Sequence, residues 1–233
     1  MRSLEPGVID RLRGIAYTCV DRMTRFRERA SSSAYVRLFV TPSREYAMAM
    51  PAPTNRWTAE MARALPEDGS RYEVLDGELF VTPAPSWNHQ RVVFLLASTL
   101  REYVRPQALG EVLLSPADIE LSEERLVQPD VFVIPPTPGR RPQSWREAKS
   151  LLLVAEVLSP STARADRTNK RDIFQDERVP EYWIVDPDAR VIERWRPHDK
   201  RPEILAHTIE WQPDPATPAL AIDLPAFFAE ALD

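Results

Sequence analysis

The sequence predicts an α/β fold, a mixed sheet flanked by helices, and three observations predict it. Apolar runs of strand length stand at Val131–Ile134, at 151–158 and at Tyr182–Asp186. Such continuous hydrophobicity suits strands of a sheet covered on both faces. A helical period runs through 86–105, and a shorter one through 168–178 lies between the second and third apolar runs. Asp76-Gly77 between two alternating segments marks a two-residue β-hairpin near the start of the domain.

The elements follow in chain order. A short helix is expected over 57–65, with Thr58 as N-cap and Pro66 ending it. The hairpin spans 72–81, in a register that places Leu75 opposite Glu78 and Glu73 opposite Phe80. Ser86 is placed to cap a helix reaching Arg105, whose inner face carries His89, Val92, Val93, Leu96, Leu100, Tyr103 and Val104. Residues 111–121 read as one strand bent at Pro116. Two apolar strands follow, separated by a proline- and arginine-rich connection over 135–149. After the turn Ser159-Pro160-Ser161-Thr162 comes the 168–178 helix, then the third apolar strand. Strands at 191–196 and 203–211 and a closing helix over Leu224–Leu232, with Pro225 in its first turn, complete the chain.

Composition bounds the function. The chain has 233 residues and no apolar run near the ~20 that a membrane helix needs. No signal-peptide core opens it, so a cytoplasmic protein is expected. Cys19, the single cysteine, excludes an internal disulfide and a multi-thiolate zinc site. The formal net charge of −5 argues against a protein coated in nucleic acid. Residues 1–47 differ, with nine arginines, no lysine and five acids, ahead of Met48 and Met50. Residues 1–50 are expected to be a poorly ordered extension, and 51–233 the folded domain.

Asp130 opens one apolar strand, and Glu156 lies inside the next, sharing a face with Leu152, Val154 and Leu158. A buried carboxylate is costly unless a cation compensates it. Two acids on neighbouring strands can share a hard divalent ion, so Mg²⁺, with Mn²⁺ as substitute, is the expected cofactor, held by Asp130 and Glu156. Lys170 shares a helix face with Ile173 and Phe174, and so points inward beside them. A metal, a water and an ammonium group suit phosphodiester hydrolysis. The plainer alternative is a structural Glu156–Lys170 ion pair. For nucleic acid, Arg164, Arg167 and Arg171 cluster beside the proposed site, and Arg140, Arg141, Arg146 and Lys149 precede Glu156.

Taken together, the 71–79 segment Arg-Tyr-Glu-Val-Leu-Asp-Gly-Glu-Leu, the 89–93 segment His-Gln-Arg-Val-Val and Gln128-Pro129-Asp130 carry a resemblance. The 154–162 segment Val-Ala-Glu-Val-Leu-Ser-Pro-Ser-Thr, Lys170 and the 179–186 segment Val-Pro-Glu-Tyr-Trp-Ile-Val-Asp extend it. The chain resembles the Uma-type restriction-endonuclease family of the PD-(D/E)XK nuclease superfamily from about Trp57 onward. That likeness implies a restriction-endonuclease-like αβββαβ core and a DNA endonuclease. It implies Asp130 and Glu156 as metal ligands and Lys170 as the catalytic lysine. Glu73 becomes an accessory acid, and His89 a group that contacts the scissile phosphate or orders Glu73. The superfamily lysine stands two residues after the glutamate, where this chain has Leu158; Lys170 looks like its migrated counterpart. A homodimer fits a double-strand cut, and a catalytically silent nucleic-acid-binding or scaffold protein is the alternative.

Overall fold

The computed structural model describes residues 56–233 except 138, 140–143 and 148–149. The expected extension over 1–50 lies outside the described residues, as do Arg140, Arg141 and Lys149 of the basic loop. Helix α1 (Ala59–Arg63) begins where Thr58 accepts a hydrogen bond from the Met61 amide. Strands β1 (Arg71–Leu75) and β2 (Glu78–Thr82) form the hairpin, with Leu75 opposite Glu78 and Glu73 opposite Phe80. Asp76 and Gly77 both adopt positive φ, 51° and 82°, the geometry of a type I′ turn. Helix α2 (Trp87–Val104) starts at Ser86, whose hydroxyl accepts the His89 N–H.

Residues 111–121 do not form one bent strand. They divide into β3 (Glu111–Leu114) and β4 (Ile119–Ser122), which belong to different sheets. A short strand, β5 (Arg125–Val127), pairs with β4 and with β1. The apolar strands are β6 (Val131–Ile134), β7 (Leu153–Val157) and β8 (Tyr182–Asp186). Between β7 and β8 lies a helical crossover: α3 (Ala163–Ala165), a π-helical turn (Asp166–Lys170) and α4 (Arg171–Asp176). Strand β9 (Val191–Trp195) follows. The expected strand over 203–211 is two strands, β10 (Glu203–Leu205) and β11 (Thr208–Trp211), which again lie in different sheets. Strand β12 (Leu220–Asp223) leads into α5 (Leu224–Leu232), with Asp223 capping it.

The main sheet has the order β10-β9-β8-β7-β6-β3, antiparallel except for the parallel β7–β8 pair. Helix α2, strands β3, β6 and β7, the crossover and β8 form the αβββαβ core in chain order. A second sheet, β2-β1-β5-β4, carries the hairpin, and β11–β12 make a ribbon. Alternation divides the main sheet. Val131, Val133, Leu153, Ala155, Val157 and Trp183 pack with α2, α5 and the ribbon. Phe132, Ile134, Val154, Tyr182 and Ile184 pack with Ile173 and Phe174 of α4 and with Leu75, Ile119 and Val127 of the second sheet. Glu156 shares the parity of Val154, so its side chain enters the layer between the main sheet, the crossover and the hairpin sheet. Among the described residues no helix is long and apolar enough to cross a membrane.

Candidate metal and catalytic centre

Asp130 directly precedes β6, which pairs with β7 through Val131 and Ala155. That register sets the Asp130 and Glu156 carboxylates against each other's backbones. The Asp130 N–H donates to Glu156 Oε2 at 3.3 Å, and the Val157 N–H donates to Asp130 Oδ2 at 2.9 Å. Lys170 descends from the crossover, its ammonium 2.9 Å from Glu156 Oε1, 3.0 Å from Glu73 Oε1 and 3.5 Å from Asp166 Oδ1. Glu73 reaches the same point from β1 and also accepts the Gln128 N–H at 2.8 Å. His89, the third residue of the helix that Ser86 caps, places Nε2 3.0 Å from Asp130 Oδ2. The structure thus gathers Asp130, Glu156, Lys170, Glu73 and His89 into one buried cluster. His89 contacts Asp130, and no hydrogen bond joins it to Glu73 among the described residues. Leu158, where the superfamily lysine stands, is half-buried at the strand end.

Two further members had no clear signal in the sequence. Arg71, the first residue of β1, places one guanidinium nitrogen 2.7 Å from Asp130 Oδ1. Its place in the hairpin motif was visible, but the hairpin's docking against β6 was not. Asp166 is almost fully buried below Lys170. It stands four residues before Lys170, a spacing that shares a helix face, but the expected helix begins at 168, whereas the helical crossover starts at Ala163 and takes in the π-helical turn Asp166–Lys170.

The electrostatics are lopsided. Burial pushes the Asp130 carboxyl upward, but the His89 hydrogen bond and charge, with Arg71 and Lys170, hold it far below the usual carboxylate range. Burial pushes Glu156 well above its range; Lys170 opposes this, while Asp130, Asp166 and Glu73 add to it. Asp166 is raised in the same way, by burial first. Burial disfavours the Lys170 ammonium, yet Glu156, Glu73 and Asp166 outweigh it and raise the lysine well above its ordinary value. Four buried carboxylates face two permanent cations, Lys170 and Arg71.

That excess of negative charge and the all-oxygen donor set fit a hard divalent cation. Among the described residues no three His, Cys, Asp or Glu side chains stand as a ready-made cage. The Asp130 and Glu156 oxygens are taken by Arg71, His89, Lys170 and two backbone amides. A divalent ion held by both carboxylates would take the place of one or more of these groups. Two cavities of about 600 Å³ and about 560 Å³ flank this point, and Arg71 and His89 line both.

The arginines expected to meet nucleic acid behave differently from one another. Arg167 is tied to Asp186 at 2.9 Å and Glu193 at 2.6 Å. Arg171 pairs with Asp172 and lies over the Trp195 ring. Arg164 is exposed, and its guanidinium has no partner among the described residues.

Known proteins share this architecture. A solved structure from Anabaena variabilis, titled as that of "a putative nuclease belonging to DUF820", superposes with a TM-score of 0.57. It covers 75% of this chain and 99% of its own at 18% identity, which speaks for the fold. An uncharacterized protein of Synechocystis is 28% identical over 130 residues, 53% of this chain and 71% of that protein. Residues 59–225 match the family described as "Uma2: Putative restriction endonuclease". The match spans the hairpin, the αβββαβ core and every member of the buried cluster, and the chain belongs to the Uma2 family.

Proposed function

We propose that this chain is a Mg²⁺-dependent endonuclease that hydrolyses phosphodiester bonds of DNA. The observation that carries the reading is the cross-strand pairing of Asp130 with Glu156, with the Lys170 ammonium 2.9 Å from the latter. Asp130 and Glu156 would hold the ion, and Mn²⁺ would substitute. A bound ion of this kind polarises a phosphoryl oxygen and lowers the pKa of a coordinated water. The protein's own groups do the rest. His89 and the Val157 N–H fix the Asp130 carboxylate from one side. Lys170 sits too deep, 2% exposed, to meet a large substrate directly; it orients Glu156 and balances its charge. Glu73 and Asp166 hold that ammonium in place, with Tyr182 anchoring the Asp166 carbonyl. Membership of a restriction-endonuclease family supports a nucleic-acid substrate.

Incubating the purified chain with plasmid, linear and single-stranded DNA in Mg²⁺, Mn²⁺ or EDTA tests the reading. Cutting is expected with either metal, and none with EDTA or in the Asp130→Asn and Glu156→Gln variants. Binding without cutting would instead favour a silent DNA-binding protein on the same fold, a reading supported by how fully protein groups occupy the carboxylates. A double-strand cut calls for two copies, and light scattering with and without DNA would detect the dimer.

A further inference from the structure

Resting on the metal-site reading above, we infer that Arg71 is an exchangeable counter-ion, whose guanidinium holds Asp130 Oδ1 and yields that oxygen to a divalent cation. The two oxygens of Asp130 are held differently. Oδ2 is fixed by two buried groups, His89 Nε2 and the Val157 N–H. Oδ1 is held by one nitrogen of Arg71, and the same nitrogen's other contact, to Ser115 Oγ, is long at 3.3 Å. The guanidinium does not form the two-pronged pairing that makes arginine–carboxylate contacts strongest. Its Nε is buried with no hydrogen-bond partner.

Arg71 also has somewhere to go. Its side chain is 15% exposed, against 2% for Lys170 and 6% for His89. It lines both cavities, and Asp130 lines the one of about 600 Å³ with it. Lys170, by contrast, is enclosed by three carboxylates. A guanidinium does not lose its proton in a protein, so displacement is the route by which Oδ1 becomes available. Once displaced, Arg71 stays within the cavity walls as a fixed positive charge facing the space a phosphate group would enter.

Calorimetric titration of the full chain with Mn²⁺ tests this, comparing wild type with Arg71→Met, Arg71→Gln and Asp130→Asn. Removing the competing charge should tighten Mn²⁺ binding about tenfold or more in both Arg71 variants. A residue that merely supported the fold would leave affinity unchanged or weaken it. Unchanged or weaker binding, with wild-type binding still abolished by Asp130→Asn, overturns the exchange and leaves the metal site standing. Absence of Asp130-dependent binding in wild type and both Arg71 variants overturns both. A second measurement needs only the wild-type protein: arginine modification by phenylglyoxal, mapped by mass spectrometry. Arg71 should react several-fold faster in Mg²⁺ than in EDTA; equal or slower modification overturns the inference.

Discussion

Glu156 shows how a single buried group shapes the protein's response to pH. Burial raises its carboxyl well above the ordinary value of 4.5, Lys170 opposes the rise, and Asp130, Asp166 and Glu73 reinforce it. The folded state therefore binds a proton more tightly than the unfolded chain does. The stability this contributes is fully present below about 4.5 and is lost as pH rises through the raised folded value. In EDTA, the melting temperature should fall across that window, and Glu156→Gln, which mimics the protonated acid, should flatten the fall; scanning calorimetry reads it. Asp130 has the opposite sign. Its depressed carboxyl adds stability above its ordinary range and loses it as pH falls, so Asp130→Asn should blunt the acid limb of the same profile. Removing the cation shared by the acids should cost more: Lys170→Met is expected to lower stability by about 3–5 kcal/mol, measured by urea unfolding. At this scale the sequence revealed Glu156 because it interrupts an apolar strand, Asp130 because it opens one, and Lys170 because it shares a helix face with Ile173 and Phe174. Arg71 was concealed: it sits in a hairpin whose local register says nothing about what lies across the sheet-to-sheet gap.

The elements were legible where local chemistry decides them. Thr58 and Ser86 cap the helices they precede, and Asp76-Gly77 fixes the hairpin register. The misreadings at 111–121 and 203–211 share one cause. Each is a continuous β-type stretch whose two halves join different sheets, a choice made by tertiary packing that alternation does not encode. Strand β5 was missed because three residues are too short to show a period. At Gly110 the geometry is more demanding. It holds φ at 142°, and a Cβ there would stand 1.9 Å from the Ile134 carbonyl oxygen. This glycine lets β3 begin flush against the end of β6, the strand that follows Asp130. Gly110→Ala should therefore cost roughly 3 kcal/mol and loosen the sheet edge, read by denaturant unfolding and by hydrogen exchange of the β3 amides.

At the scale of the molecule, the formal net charge of −5 and the ion-paired Arg167 and Arg171 would limit how strongly a nuclease of the proposed kind holds DNA. Arg167 bridges the crossover to β8 and β9 through Asp186 and Glu193, whereas Arg164 is exposed without such ties. Arg164→Ala should weaken DNA binding and reduce the salt slope by about one. Arg167→Ala should mainly lower the melting temperature. Titrations in increasing NaCl, paired with thermal scans, separate the two effects. The adjacency of the Asp130 and Glu156 strands was legible, since consecutive strands are usually neighbours. The docking of the hairpin sheet on the face that carries Glu156 was not, because that contact joins residues far apart in the chain.

The same distance has a consequence for biosynthesis. Glu73 and Glu156, whose cation is Lys170, leave the ribosome before it, yet both are interred in the finished protein. Until the crossover segment arrives and β8 slots in parallel beside β7, a growing polypeptide carries acids that it can neither bury nor neutralise, so the centre should consolidate last and all at once. A chain arrested before residue 170 should therefore stay open to proteases in the hairpin and β6–β7 region, and completing the crossover should close it.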